Sequence, residues 1–267
     1  MRKIKIYLIG GFGNVLFQLN YGEFLEEKGF KVEYCDILLR KNIFTSLFRW
    51  SIHKTFLDLE ELDFHNEYTF TSFNVFDLVL ITLSRIIRAP IFGVEFCKHA
   101  LMSSNHKSNV ICGYFMLNVP VSEKLINKLR EALIDSSVHN DSEKLIVHYR
   151  GGDYADGHFP RLDNYYKKTL SMLDREYYVV TNDKVLANRI FSSDANFLGF
   201  KTSLSALGDF SLLASASILV QSSSTFSWWA AEISRADAIY QPEPYFNHID
   251  WIPQSKLKNR IGIRYEA

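Results

Sequence analysis

The chain has 267 residues, 47% apolar and 15% aromatic, enough for one large domain or two smaller ones with real cores and too apolar for a disordered segment. Thirty basic residues balance thirty acidic ones, and a formal net charge of zero offers no field to gather nucleic acid, so that class of partner is set aside.

From Met1 to Ile9 a few cations precede a short apolar run that ends in glycines, with no cleavage site of small residues. That pattern predicts a first strand and not a signal peptide. Gly10-Gly11-Phe12-Gly13-Asn14 then predicts a turn, Val15 to Lys28 a helix closed by Gly29, and Phe30 to Cys35 a second strand, together a βαβ unit. N–H groups at such a helix start, beside the polar Asn14, suit an anion or a sugar hydroxyl. A tight turn that needs glycine for its backbone alone explains the same residues equally well. Gly11-x-Gly13 with Asp36 at the end of the next strand also resembles a dinucleotide fingerprint. Leu16 stands where its third glycine belongs, which makes an NAD-dependent oxidoreductase the minority reading.

Residues 40 to 110 show no readable motif. The most apolar stretch, Phe70 to Phe96, is broken by Asp77, Arg85, Arg88 and Pro90, so no transmembrane helix is expected. Within it Phe76, Val79, Leu80, Leu83, Ile86 and Ile87 recur at helical spacing, which predicts a helix facing a core. Arg85 and Arg88 beside that stripe leave open a second reading, in which the helix touches an anionic membrane surface. Cys35, Cys97 and Cys112 are odd in number and lack C-x-x-C spacing. They read as reduced thiols filling the core of a cytoplasmic protein, with no zinc site.

Ser122 to Ser142 reads as a helix followed by a linker, which divides the chain into domains 1–140 and 141–267. Beyond it comes a second alternating series. Strands are expected from Lys144 to Tyr149, Tyr177 to Val180 and Ala195 to Leu198, and helices from Tyr165 to Leu173 and Asp183 to Phe191, an order that implies a parallel sheet.

Three constellations in this half carry chemistry. In His148-Tyr149-Arg150-Gly151-Gly152-Asp153-Tyr154, a buried strand opens onto a cation, two glycines and a carboxylate. Arg150 is suited to a diphosphate, since its planar fork holds two phosphate oxygens and neutralises charge on a leaving group. A surface ion pair between Arg150 and Asp153 is the plain alternative. Thr181-Asn182-Asp183 ends the next strand, where Asp183 caps a helix, reads a base or ribose, or does both. Ser222-Ser223-Ser224-Thr225-Phe226-Ser227-Trp228-Trp229 follows the strand Ile218 to Val220 and crowds hydroxyls and N–H groups into a helix start, either an anion cradle or a serine N-cap before a buried helix.

Taken in order, G-G-x-G-N, H-x-R-x-G-D-Y, T-N-D and S-T-F-S-W-W-A-A resemble the bacterial α-1,2-fucosyltransferases, glycosyltransferase family 11, from Ile9 to about Pro244. The resemblance implies a GT-B type α/β fold, two Rossmann-like domains with parallel sheets facing across a cleft. It also implies inverting transfer of L-fucose from GDP-fucose, without metal or other cofactor, to a sugar hydroxyl of an O-antigen or another surface glycan. The acceptor would be a glycan or lipid-linked oligosaccharide, and the location cytoplasmic with a peripheral contact at the inner membrane. By the same resemblance Arg150 would hold the diphosphate, with His148 and Asp153 shaping the donor pocket. Ser223 would lie in the same cradle, with Ser224, Thr225 and Ser227 on the phosphates. Asn182 and Asp183 would lie near the nucleoside, and Gly11, Gly13 and Asn14 would close on fucose and acceptor. Two positions depart from the family's usual pattern: Gly151 stands where a second arginine is common, and Ser223 where asparagine is. Another GDP-linked deoxysugar, GDP-colitose for example, would need the same clamp.

Overall fold

In the computed structural model, which describes residues 1–40, 53–97, 108–114, 119–135, 144–151, 162–245, 255 and 257–265, the chain opens with strand β1 (Lys3–Tyr7), helix α1 (Phe12–Glu27) and strand β2 (Lys31–Cys35). The expected βαβ unit is present, with the helix starting three residues earlier than its apolar pattern suggests because Gly11, in extended geometry, serves as N-cap. Helices α2 (His53–Glu61), α3 (Phe64–Glu67) and α4 (Val75–Ile87) follow, then strands β3 (Val94–Cys97) and β4 (Val110–Gly113). All pairings are parallel, in the order β2-β1-β4-β3. The order reverses between β1 and β4, the place where an open α/β sheet gathers its binding residues.

Glycine and aromatic residues set the spacing of this first sheet. A Cβ at Gly22 of α1 would lie 1.9 Å from the Tyr34 hydroxyl, so only glycine lets the helix settle over β2. Tyr34 is fully enclosed and donates to the Leu19 carbonyl at 3.3 Å. Cys35 and Cys112 are buried as expected, and burial pushes the Cys35 thiol up to about 11, which leaves it protonated and inert at neutral pH.

Helix α5 (Glu123–Arg130) runs on into a single π turn, Glu131–Asp135. Its start is tied to α1: Asn20 donates to the Pro120 carbonyl at 3.2 Å and accepts from the Ser122 N–H at 2.8 Å. One compact unit comprises Met1–Leu125 with Asp250–Ser255 and the other Ile126–Ile249 with Lys256–Ala267, so the first crossing comes earlier than the boundary at 140 expected from sequence. Arg130 and Leu133 explain the difference, because they are already bonded to Ile233 and Ser211 of the second unit, at 2.9 and 2.6 Å.

The second unit contains β5 (Leu145–Tyr149), α6 (Asp163–Leu173), β6 (Tyr177–Thr181), α7 (Lys184–Phe191), β7 (Phe197–Phe200), α8 (Ala206–Ala214), β8 (Ile218–Val220), α9 (Thr225–Ile233), β9 (Ala238–Glu243) and β10 (Arg260–Arg264). Its parallel sheet runs β10-β9-β8-β5-β6-β7, which is the Rossmann strand order with its reversal between β5 and β8. Leu145, Val147, Val179 and Val220 face a layer of Tyr165, Tyr166 and Phe191. Burying a side chain the size of Phe191 contributes about 2 to 3 kcal/mol, which is what holds α6 and α7 to that face.

Among the described residues no helix is long and apolar enough to cross a membrane.

Candidate active site

Strand β5 is buried through His148, and its neighbour across the reversal is β8, with Val147 opposite Val220. The residues just past both strand ends are therefore adjacent. His148 Nδ1 lies 2.8 Å from Ser222 Oγ, and Ser222 in turn donates to Ser224 Oγ at 3.0 Å. Tyr166 donates to the His148 carbonyl at 2.8 Å and the ring packs 5.8 Å from Phe226, so neither backbone nor ring is loose. Burial, reinforced by the Arg150 charge, pushes the His148 pKa down to about 3. The group is neutral at physiological pH, and its hydrogen bond to Ser222 holds the ring in place.

Arg150 follows directly at the strand end and is partly buried. Gly151 comes next and is clamped to the following strand: its N–H donates to Asn182 Oδ1 at 3.0 Å. A Cβ at Gly151 would sit 2.6 Å from Asp183 Cβ and 3.2 Å from the Tyr149 ring. Asp183 fills the volume that a second arginine would need, which accounts for the glycine. Asp183 itself accepts from the Leu186 N–H at 3.0 Å as N-cap of α7, so of its two sequence-level roles the capping one is present. Gly152 and Asp153 lie outside the described residues.

The serine-rich turn forms the other side. Ser224 caps α9, accepting from the Ser227 N–H at 3.1 Å, and its carbonyl accepts from Tyr245 at 3.0 Å. The N–H groups of Thr225 and Phe226, at the first positions of the helix, have no intrahelical acceptor and carry its positive end. Ser223 and Ser227 are 1% and 0% exposed, and among the described residues neither hydroxyl has a hydrogen-bond partner. Buried hydroxyls left without partners at a helix N-terminus are what an anion-binding turn presents before its ligand arrives. Trp228 and Trp229 stand edge to face at 5.2 Å, fully buried, and seat the helix.

Behind the turn lies a network that sequence reasoning missed. Gln221 Nε2 donates to the Ser227 carbonyl at 2.8 Å, and its oxygen accepts from Arg260 at 3.1 Å. Arg260 is paired with Glu232 at 2.6 Å, donates to Gln241 at 3.1 Å, and lies 5.2 Å from the Trp228 ring. The only sequence signal is a buried glutamine beside a serine run; its partner stands thirty-nine positions later.

In the first unit the glycine that the turn needs is Gly10, at φ +86°, where a Cβ would meet Asn14 at 2.8 Å, whereas a Cβ on Gly11 would meet open space. Gly13 is buried and Asn14 half-buried at the start of α1. Gln18, also missed, is fully buried and donates to the carbonyls of Ile9 and Gly113, both at 2.9 Å, joining the ends of β1 and β4. Asp36 is not free for a ribose. Both its oxygens are held by Arg40, at 3.0 and 2.9 Å, and His65 adds a contact at 2.9 Å. Those partners outweigh burial and lower its pKa. With Leu16 buried at the third glycine position as well, the dinucleotide reading is corrected.

A cavity of about 370 Å³ lined by Tyr166, Leu170, Tyr177, Phe191 and Asp194 lies at the start of β6, the end opposite Thr181 and Asn182, and is not part of this constellation.

The sequence profile of Glycosyl transferase family 11 matches residues 6–259, from within β1 to the start of β10. The chain belongs to glycosyl transferase family 11. No curated protein sequence matches this family 11 transferase. Among solved structures it is similar to E. coli heptosyltransferase WaaC with ADP, 12% identical over 99% of this chain and 93% of that one, with a TM-score of 0.50. The glycosyl transferase family 9 protein of Veillonella parvula DSM 2008 is 11% identical over 98% and 87% of the two chains at a TM-score of 0.49. NodZ alpha-1,6-fucosyltransferase co-crystallized with GDP is 13% identical over 90% and 94%, at 0.42. The likeness to WaaC agrees with the two parallel α/β sheets, and the fold of the family 11 transferase is of the GT-B type. It is a glycosyltransferase.

Proposed function

We propose that this family 11 transferase moves L-fucose from GDP-fucose to a sugar hydroxyl of a surface glycan, such as an O-antigen or a lipid-linked oligosaccharide, with inversion and in α-1,2 linkage, in the cytoplasm. The observation that carries the reading is the junction of β5 and β8, where His148 is bonded to Ser222, Arg150 follows at the end of β5, and β8 leads into a helix start whose Ser223 and Ser227 hydroxyls have no partner among the described residues. Departure of GDP builds negative charge on the diphosphate and positive charge on the sugar ring. A permanent guanidinium and the positive end of α9 are preorganised to receive the first of these. The chain thereby supplies its own countercharge, and the proposed reaction runs without a metal. Asn182 and Asp183 would border the nucleoside.

Gly151 favours a second reading within the same class. With one arginine at the strand end and Asp183 in the place of another, a donor carrying a different GDP-linked deoxysugar fits the same clamp. A thermal-shift titration with GDP, GDP-fucose, UDP, dTDP and NAD tests both, because a ligand that binds only the folded chain raises its melting temperature. Shifts with GDP and GDP-fucose are expected, and Arg150→Ala is expected to abolish them and to lower kcat/KM for GDP-fucose about 100-fold or more while folding normally. A shift with GDP but turnover only with another GDP-sugar selects the second reading. Near-normal turnover in Arg150→Ala overturns both.

A further inference from the structure

Two features of the structure lie outside the donor side. Helix α4 turns Leu78, Leu80 and Ile81 inward and Phe76, Val79, Leu83, Ile86 and Ile87 outward, so most of the stripe expected to face a core is surface. The other feature is the cavity at the start of β6, about 370 Å³, a volume at the lower end of the range of small-molecule pockets. Tyr177 opens β6 and Thr181 ends it, roughly 13 Å away at the rise of a strand, so the cavity and the donor residues lie at opposite ends. The cavity floor is apolar, with Tyr166, Leu170 and Phe191 buried. Its rim is polar and drawn from three places in the chain. Lys167, Ser171 and Asp174 come from the end of α6, Ser193 and Asp194 from the turn after α7, and Asn196 from the lead into β7.

We propose that this cavity binds a neutral saccharide, at a place separate from the transfer site. The polar groups are already fixed by one another. The Tyr177 hydroxyl donates to Asp194 Oδ2 at 3.1 Å, the Asn196 N–H donates to Asp194 Oδ1 at 2.9 Å, and the Asn196 amide donates to Asp174 Oδ1 at 3.2 Å. Burial, and then the Asp194 charge, raise the Tyr177 pKa, which keeps that phenol a donor. Asp174 is the C-cap of α6 at a φ of 44°, a left-handed position where glycine is usual, so the turn carries a carboxylate that its backbone does not call for. Acceptor capacity decides the class of ligand. Among the described residues Asp194 takes two hydrogen bonds and Asp174 one, of about four open to each ionised carboxylate, so the ligand must bring donors. A phosphate brings none and would meet two anions against the single cation of Lys167. A purely apolar ligand would strip water from both carboxylates and give nothing back. Neighbouring sugar hydroxyls supply paired donors to the carboxylates and lone pairs to Lys167, while the C–H face of the ring covers Leu170 and Ile190. The inference goes beyond the proposed reaction and does not depend on its donor: a second hold on a glycan serves any transferase that works on one.

Methyl-resolved NMR of the full chain in excess GDP tests it without any turnover, with the Ile190 signal assigned through Ile190→Val. Titration with glucose, galactose, N-acetylglucosamine and lactose is expected to shift that signal at millimolar concentrations of at least one sugar. Asp194→Asn is expected to weaken the binding about tenfold or more, the loss that follows when a charged acceptor becomes a neutral one. Lys167→Ala/Ser193→Ala changes two exposed side chains, should fold as the parent does, and is expected to weaken binding by a smaller factor. Neither variant should alter the thermal shift given by GDP. A parent whose Ile190 signal moves with none of the four sugars overturns the proposal, and a shift with spermidine alone would make the cavity a cation site instead. Sugar binding of parental strength in both variants overturns it as well. A saccharide shift in a chain that binds no GDP would strike at the proposed donor and leave the cavity's ligand standing.

Discussion

At the scale of single residues the strand end after β5 shows how little room surrounds its chemistry. Gly151 is wedged between Asp183 and the Tyr149 ring, so Gly151→Ala is expected to cost about 1 to 3 kcal/mol of stability, read as a lower urea midpoint. Gly151→Arg, which would supply a second cation, is expected to weaken GDP binding instead of improving it, because the side chain must displace the Asp183 cap. Tighter GDP binding by that variant would show that the glycine is an accident of sequence. His148 makes a second prediction. Its folded pKa of about 3 lies below the ordinary histidine value, so as pH falls the unfolded chain takes up a proton that the folded chain refuses. Stability is full above about pH 6.5 and declines by about 1.4 kcal/mol per pH unit below it, through this group alone. His148→Asn should therefore lose about 2 kcal/mol less than the parent between pH 7 and pH 5 in urea titrations, and equal losses would mean that water reaches the ring.

At the scale of elements, the serine turn depends on a strand far from it in the chain. Arg260 on β10 holds Gln221, and Gln221 holds the first turn of α9. Removing the arginine takes the 2.6 Å ion-pair partner from the buried Glu232 carboxylate. Arg260→Met is expected to cost about 3 to 5 kcal/mol, whereas Arg260→Met/Glu232→Gln should fold and isolate the effect on the turn. In that double variant the KM for the donor is expected to rise with kcat less affected; an unchanged KM would reduce the network to a packing device. This network was not legible in the sequence, because nothing in Ser217 to Ser224 points to a residue so far downstream. What was legible was local. The period of Lys3 to Cys35 and of Tyr177 to Phe191 defined strands and helices to within a few residues, since each carries its own caps and alternation. Strands β3, β4, β9 and β10 escaped notice: the first two have four residues each, β9 contains Pro242 and β10 contains Gly262. Helix α4 was read as a helix, but which of its two apolar faces meets a core is a tertiary fact that periodicity does not carry.

At the scale of the whole molecule, the parallel sheets followed from alternation alone, while the strand order did not. That order is what turns three separate motifs into neighbours: His148 and Ser222 are seventy-four positions apart and in hydrogen-bond contact because β8 returns to the open side of β5. Gln18 plays the matching part in the first unit, joining the strand ends that flank the sheet's reversal. Motif order along the chain therefore identified the candidate residues, and topology supplied the reason they belong together. The position of Arg260 has one more consequence, which concerns time and not space. A ribosome delivers the serine turn well before it delivers β10, so during synthesis the turn exists for some forty residues without the cation that locks it. A nascent chain released or cleaved in that interval would carry every motif of the donor side and still lack its finished form.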